Sequence, residues 1–130
     1  MEGGWPGDPH NAFEASGRSP DQEAVFARVV KLAHLRRELE PLRHGKLVDL
    51  FVSDQVYAYA RPTDRQSVVV IINNAVDRAT LEFDAAPARL FNGTTLADRL
   101  GDGPPAQIYN GRLSATLPGR SSSIYVQAGK

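Results

Sequence analysis

Residues 106–117 read Ala-Gln-Ile-Tyr-Asn-Gly-Arg-Leu-Ser-Ala-Thr-Leu and carry the clearest structural signal in the chain. Their centre, Asn110-Gly111, favours a two-residue hairpin turn, because a type I′ turn needs positive φ at both central positions. Apolar and polar residues alternate on either side, through Ile108-Tyr109 before the turn and Leu113-Ala115-Leu117 after it. The stretch therefore predicts two antiparallel strands, each with one buried face.

The same period of two extends over residues 46–130. Alternation at 48–52 and 56–60 predicts further strands, and the unbroken β-branched run Val68–Ile72 fits a central strand that is buried on both faces. Turn signals between these segments have the short spacing of an all-β sandwich. We therefore predict a mainly β fold, in which a small antiparallel Greek-key β-sandwich follows an N-terminal loop and one α-helix. The predicted core of the sandwich is Val48, Leu50, Val56, Ala58, Val68, Val70, Ile72, Leu81, Phe83, Leu113, Leu117, Ile124 and Val126.

Before the strands, the sequence predicts one α-helix over residues 20–39. Ser19 and Gln22 form a capping box, with a proline at the first helical position between them. Pro41 disfavours helical geometry at the residue before it, and Gly45 supplies a C-terminal stop. The apolar residues of this segment recur at helical spacing and form a wide stripe. They are Val25, Phe26, Val29, Val30, Leu32, Ala33, Leu35 and Leu39.

The first region, residues 1–18, is too rich in glycine and proline to continue a helix or a strand, so it is predicted to be a loop. Trp5 is its candidate functional residue, since a flat ring in a loop can stack on the apolar face of a sugar. The alternative is that Trp5 packs into a core or is an ordinary exposed aromatic. Loop and helix together make up a first region, residues 1–45, ahead of the β-domain.

The composition excludes several functional classes. Lys+Arg and Asp+Glu number 15 each, so no net field draws the chain to nucleic acid or to an anionic membrane. The absence of cysteine removes disulfides and thiolate metal sites. No apolar run approaches the roughly 20 residues that span a bilayer, and the N-terminal segment does not resemble a signal peptide. We expect a soluble domain, with no compartment indicated.

The residues that could perform chemistry are scattered. The aspartates fall mostly at predicted turns, where their short side chains bond the local backbone. His10, His34 and His44 lack the spacing of metal ligands. A basic cluster at 36–46 is interrupted by two glutamates, so it fits a solvated helix end better than a nucleic-acid surface. We therefore predict no catalytic residue, no cofactor and no metal site.

Three pieces follow one another along the chain. They are the loop Gly3-Gly4-Trp5-Pro6-Gly7-Asp8, the helix end Leu35-Arg36-Arg37-Glu38 with Leu42-Arg43-His44-Gly45, and the closing segment Leu117–Val126. Each is weak alone, but in this order and spacing they resemble the C-terminal end of α-amylase-family glycoside hydrolases. The likeness is greatest to the group of cyclomaltodextrinases, neopullulanases and maltogenic amylases.

The resemblance implies that a (β/α)8 barrel precedes the β-domain and carries the chemistry, and that this chain is a fragment of a longer enzyme. The helix would then be similar to the last barrel helix. The family's catalytic carboxylates lie on earlier barrel strands, the last of them in an Asn-His-Asp motif that this sequence lacks. Gly17-Arg18-Ser19-Pro20-Asp21 resembles the nucleophile motif only superficially, because its arginine stands one residue too far from the aspartate. The implied role is a non-catalytic C-terminal domain that stabilises the barrel.

Two other functions stay open. A carbohydrate-binding module would need two or three aromatics exposed on one face, and its candidates are Tyr57, Tyr59, Tyr109 and Tyr125. An interaction domain would instead oligomerise through the helix. Because the apolar stripe is too wide to be left in water, we expect the chain alone to form a homodimer through this helix. The other expected partners are the catalytic barrel and, at millimolar affinity, maltooligosaccharides.

Overall fold

The computed structural model describes residues 19–100 and 105–127. The chain divides into two compact units, residues 1–34 and 35–130. None of the helices in the described ranges is long and apolar enough to cross a membrane. In chain order the elements are α1 (Pro20–Glu38), α2 (Pro41–His44), β1 (Val48–Val52), β2 (Val56–Pro62), β3 (Ser67–Asn73), β4 (Ala79–Asp84), a 3-10 turn (Ala86–Ala88), β5 (Thr95–Asp98), β6 (Ala106–Tyr109), β7 (Arg112–Leu117) and β8 (Ser121–Gln127).

The N-terminus of α1 is capped as the sequence predicts. The Ser19 amide donates to Gln22 Oε1 at 2.9 Å, and the Gln22 amide donates to Ser19 Oγ at 3.2 Å. The capping box is therefore closed in both directions. Acidic residues in the first turn and basic residues in the last turn also suit the helix dipole. The helix ends at Glu38, one residue before the predicted end.

A second helical turn, α2, follows α1 where the sequence analysis expects none. Glu40 has φ −51° and ψ −43°, so it adopts the helical geometry that Pro41 disfavours. The amides of Arg43 and His44 both donate to the Glu40 carbonyl at 2.9 Å, and Leu42 is buried. These contacts offset the steric cost that a proline imposes on the residue before it.

The eight strands form one antiparallel sheet in the order β1-β2-β3-β8-β5-β6-β7-β4. Strand β8 pairs with β3 on one side and with β5 on the other, so the last strand joins the early strands to the later ones. The edge strands β1 and β4 also contact each other, because the sheet curls around one interior. This sandwich-like barrel confirms the predicted mainly antiparallel β fold. Strand β5 is an addition, since the sequence pattern does not indicate it.

The hairpin predicted at residues 106–117 is present as β6 and β7. Tyr109 pairs with Arg112 across the turn. Asn110 and Gly111 have φ values of 51° and 75°, both positive, as a type I′ turn requires. The turn chemistry read from the sequence is therefore confirmed at the backbone.

The interior of the curled sheet holds the main core, to which every strand contributes. Ten of the predicted core residues are buried: Val56, Ala58, Val68, Val70, Leu81, Phe83, Leu113, Leu117, Ile124 and Val126. Val48 and Leu50 are only half-buried, because they lie on the edge strand β1. Ile72 is 41% exposed, which contradicts its predicted place in the core. Its neighbour Ile71 is fully buried instead.

A second, smaller cluster lies on the other face of β3 and β8. Its members from the strands, Val68, Val70, Ile124 and Val126, pack with Leu35, Leu39, Leu42 and Leu100. Strand β3 is thus buried on both faces from Val68 to Ile71, as its β-branched run predicts. Ile72 shares a face with Val70 but is not part of the cluster, and this explains its exposure.

Adjacent isoleucines provide a matched test of this arrangement. We expect Ile71→Ala to lower the free energy of unfolding by about 2–4 kcal/mol, because it leaves a cavity in the main core. Ile72→Ala should cost roughly 1 kcal/mol or less, since its side chain already meets water. Urea denaturation followed by circular dichroism, with unchanged m-values, measures both. Equal costs at the two positions would contradict the strand orientation.

Candidate functional site

The last turn of α1 and the short helix α2 pack against the β-domain. We call this region the junction and define it as residues 35–46 together with Arg61 and Arg99. Leu35, Leu39 and Leu42 are buried there against the outer face of β3 and β8. The last turn of α1 and the whole of α2 are therefore part of the β-domain's own packing. Each buried leucine contributes about 1.5–3 kcal/mol relative to exposure.

Arg61, on β2, is the polar centre of the junction. Its Nη1 donates to the Leu42 carbonyl at 2.7 Å, while Nε and Nη2 donate to the Gly45 carbonyl at 3.2 Å and 2.9 Å. The guanidinium thus binds carbonyls at the C-terminal end of α2 that have no partner within the helix. The planar guanidinium, whose N–H donors point in fixed directions like a fork, can bind two carbonyls at once and suits this position better than a lysine ammonium.

Gly45 is required by close approach rather than by an unusual backbone. Its φ of −66° is accessible to any residue. A Cβ at this position would lie 2.6 Å from the Pro41 carbonyl oxygen and 2.7 Å from that of Arg61. Both obstacles are backbone atoms, so they cannot rotate away. The glycine predicted as a helix stop therefore also lets α2 and β2 come into contact.

The basic cluster at 36–46 satisfies helix ends, as its simpler interpretation predicts. Arg36 Nη1 donates to the Leu42 carbonyl at 3.2 Å. Arg43 Nη1 donates to the carbonyls of Arg36 and Arg37. These contacts bring positive charge to the C-terminal ends of α1 and α2, where the helix dipole favours it.

An ion pair completes the junction. Arg99 Nη2, in the loop after β5, lies 2.9 Å from both carboxylate oxygens of Glu38. The Arg99 amide donates to the Ile124 carbonyl at 2.8 Å, which ties the same loop to β8. Because both side chains are partly exposed, the pair itself adds little stability. Its contribution is to fix the direction of the last turn of α1.

The earlier part of α1, which belongs to the first compact unit, presents a different surface. Val25 and Val29 are 57% and 58% exposed. Val30 and Leu32 are 38% and 39% exposed. The predicted apolar stripe therefore has two parts, one buried at Leu35 and Leu39 and the other accessible.

The described carboxylates have structural partners rather than a shared centre. Asp98 Oδ1 accepts hydrogen bonds from the amides of Leu100 and Ile124. Asp84 Oδ1 accepts from the amide of Ala86 at 3.0 Å. Other acids form exposed ion pairs, Asp64 with Arg89 and Glu82 with Arg112. No group of three or more His, Asp or Glu residues in the described ranges is placed to hold a metal ion.

The four candidate tyrosines differ in environment. Tyr125 is buried in the main core. The rings of Tyr57 and Tyr59 lie 5.2 Å apart, and the Tyr57 hydroxyl donates to Asp49 Oδ1. That hydrogen bond raises the pKa of Tyr57 to about 12, because ionising the phenol would remove the donor. Tyr109 is 77% exposed on β6, so of the four candidates the structure brings together Tyr57 and Tyr59, which share one face of β2 and are half-buried.

A polar cleft of about 560 Å³ lies beside the junction. Its lining includes Glu40, His44 and Lys46 from the α2 end and Asp64, Arg65 and Arg89 from two loops. It has no aromatic side chain on which a sugar could stack. The candidate stacking residue Trp5 lies outside the described residues, as do His10 and the Gly3–Asp8 loop.

The fold and the junction define an antiparallel β-domain that is anchored to a preceding helix. The chain belongs to the cyclomaltodextrinase C-terminal domain family, whose model matches residues 49–124. A β/α-amylase from Paenibacillus polymyxa is 26% identical over 106 residues, which cover 79% of this chain and 8% of that protein.

Two solved structures have a similar fold over the length of this chain. An α-amylase from Anoxybacillus superimposes with a TM-score of 0.75 at 25% identity, covering all of this chain and 27% of that one. An α-amylase from Geobacillus thermoleovorans, crystallised with acarbose, has the same fold, with a TM-score of 0.76 at 21% identity over 28% of its length. The chain therefore spans only a minor part of the relatives that it matches.

The junction predicts a measurable role for Arg61. We expect Arg61→Ala to lower the free energy of unfolding by roughly 1.5–3 kcal/mol, because the part-buried carbonyls of Leu42 and Gly45 lose charge-assisted hydrogen bonds. Arg61→Lys should recover only part of this loss, since an ammonium cannot reach both carbonyls with a fork. Denaturant titration gives the values.

Arg65→Ala, in the exposed turn between β2 and β3, is the matched control and should change stability by no more than about 0.5 kcal/mol. Equal losses for Arg61→Ala and Arg65→Ala would show that the fork does not anchor α2.

Proposed function

We propose that this chain serves as a non-catalytic C-terminal β-domain of an α-amylase-type glycoside hydrolase and stabilises the catalytic barrel through α1. Membership of the cyclomaltodextrinase C-terminal domain family supports the first part. The observation that carries the second part is the accessible apolar stripe of α1, followed directly by an end that is anchored in the β-domain. An accessible apolar surface of this kind can bind a second body.

The stripe has the chemistry of a contact surface. Val25 and Val29 are spaced by four residues and lie on one side of the helix. Leu32 stands three residues after Val29 and three before Leu35, so the accessible and the buried part of the stripe are neighbours on the helix surface. A helix between a barrel and a β-domain needs such a stripe, because each neighbour can cover a different part of it.

The proposed lack of catalysis rests on the state of the carboxylates. Retaining glycoside hydrolysis needs a pair of carboxyl groups that flank the scissile bond, one ionised and one protonated. Several described acids are instead engaged with backbone amides or with arginines, as Asp98 and Glu82 illustrate. The chemistry is therefore assigned to the barrel of the parent enzyme.

This assignment predicts that the 130-residue chain releases no reducing sugar from maltodextrins, cyclodextrins or pullulan above the level of a heat-unfolded sample. The physical reason is that carboxylates such as Asp98 and Glu82, in the part of the chain that the structure describes, are held by backbone amides or by arginine rather than placed to protonate a leaving group and attack the sugar. A reducing-sugar assay on fractions across the last purification step measures this. Hydrolysis that copurifies with the folded chain and disappears on unfolding would overturn the proposal.

The contact role of the stripe predicts a property of the chain prepared by itself. Without a barrel in the sample, we expect the stripe to pair with that of a second copy in a two-fold dimer, because burying each apolar side chain contributes about 1.5–3 kcal/mol. Light scattering at micromolar concentration should report a dimer. Val29→Asp or Val30→Asp should shift it toward monomer, since each would bury an unpaired charge.

Val76→Asp is the control for this prediction, because Val76 is 75% exposed in a loop of the β-domain. It should leave the dimer intact. A wild-type chain that is strictly monomeric, with α1 strongly protected in hydrogen exchange, would contradict the contact role.

A further inference from the structure

Tyr109 is an aromatic side chain that the packing of the domain does not use. It is 77% exposed, although it lies within a regular strand. Its neighbours along β6, Ala106 and Ile108, point into the core, so alternation directs Gln107 and Tyr109 to the outer face of the sheet. A large exposed aromatic on a rigid strand is available for a ligand.

The residues that share the outer face of β6, β7 and β4 with Tyr109 are polar and follow the register of the sheet. Tyr109 lies opposite Arg112 on β7, and Arg112 lies opposite Asp84 on β4. Two residues further along the strands, Gln107 on β6 pairs with Ser114 on β7, and Ser114 pairs with Glu82 on β4. We call this outer surface the strip; it consists of Glu82, Asp84, Gln107, Tyr109, Arg112 and Ser114, all exposed.

The strip is held rigidly. Arg112 Nε lies 2.9 Å from Glu82 Oε1, and Arg112 Nη2 donates to the Glu82 carbonyl at 3.2 Å. The turn beside Tyr109 is fixed by the Gly111 amide, which donates to Asn92 Oδ1 at 2.6 Å. Groups on paired strands with fixed side chains lose little entropy when they bind a ligand.

The chemistry of the strip favours a neutral, polyhydroxylated ligand. The ring of Tyr109 offers an apolar surface for stacking, with a hydroxyl at its edge. Planar guanidinium, carboxylate and amide groups beside it can each bond neighbouring hydroxyls. Because Arg112 is paired with Glu82, no excess positive charge is left to attract an anion. A protein partner would need an apolar centre of larger area, and the residues that flank Tyr109 do not supply one.

We propose that the strip around Tyr109 is a binding site for an oligosaccharide of glucose. One sugar ring stacks on Tyr109, and its hydroxyls bond Arg112, Gln107 and Asp84. The choice of a glucose polymer rests on the proposed function, while the stacking and the hydrogen bonds rest on the strip itself. The site would keep an α-glucan chain close to the parent enzyme through a surface separate from the junction.

The test is a titration of the isotope-labelled 130-residue chain with maltoheptaose at millimolar concentration, followed by amide NMR shifts. The expected result is saturable shifts confined to β6, β7 and the Asn110-Gly111 turn. Tyr109→Ala should weaken binding about tenfold or more, and Tyr109→Phe should keep most of it, because the ring is retained. Both variants should unfold at the wild-type temperature, since the side chain is mostly exposed.

Val76→Ala is the matched control, because Val76 is 75% exposed and lies outside the strip; it should bind as the wild type does. Trp5→Ala, which removes the loop candidate, should also leave the shifts at the strip unchanged. The absence of shifts in the strip, or binding lost in Val76→Ala or Trp5→Ala but kept in Tyr109→Ala, would overturn the site.

A titration with cellohexaose distinguishes two parts of the proposal, that the strip binds a sugar and that this sugar is an α-glucan. Weaker binding of cellohexaose than of maltoheptaose supports an α-glucan site. Equal or tighter binding of cellohexaose through Tyr109 would overturn the assignment to α-glucans. Failure of the sugar titration leaves the reducing-sugar and light-scattering tests of the proposed function unaffected, so the two cannot be confused.

Discussion

The fork of Arg61 on the carbonyls of Leu42 and Gly45 is the constraint on which the helix–sheet junction depends. A four-residue helix such as α2 has no stability of its own, because nucleating a helix costs more than one turn returns. It persists here because Arg61 binds its free carbonyls, Leu42 is buried, and Gly45 allows the backbones to meet. Once α2 is fixed, Leu39 and Leu35 are brought onto the outer face of β3, and the direction of the chain into β1 is set.

The junction also explains why residues 35–46 belong to the compact unit of the β-domain. A curled sheet with one interior buries only one face of each strand, yet Val68 and Val70 on the other face of β3 are buried as well. They would meet water if Leu35, Leu39 and Leu42 were removed. The outer face of β3 therefore needs the end of α1 as cover, and Ile72 marks the point where this cover stops.

Most of the fold could be predicted from local chemistry, and the features that could not be predicted have physical causes. The capping box and the Asn110-Gly111 turn depend on backbone requirements that few residues meet, so their sequence signals are specific. Strand β5 is short and contains a single buried leucine, Leu96, which gives no detectable period. Alternation predicts which side chains share a face but not which face is covered. The exposure of Ile72 and of Tyr109 could therefore be learned only from the assembled structure.

The two outer faces of the curled sheet differ in what their sequences can bind. Around β3 and β8 the outward residues are aliphatic, so that surface is stable only under a protein cover, which the helical end supplies. Around β6, β7 and β4 the outward residues are hydrogen-bonding groups about one aromatic ring, so that surface is stable in water. An apolar face must be permanently covered, whereas a polar face with a single ring can exchange ligand for water at little cost. The alternation that builds one core therefore also separates the surface that joins other parts of a protein from the surface that is free to meet a solute.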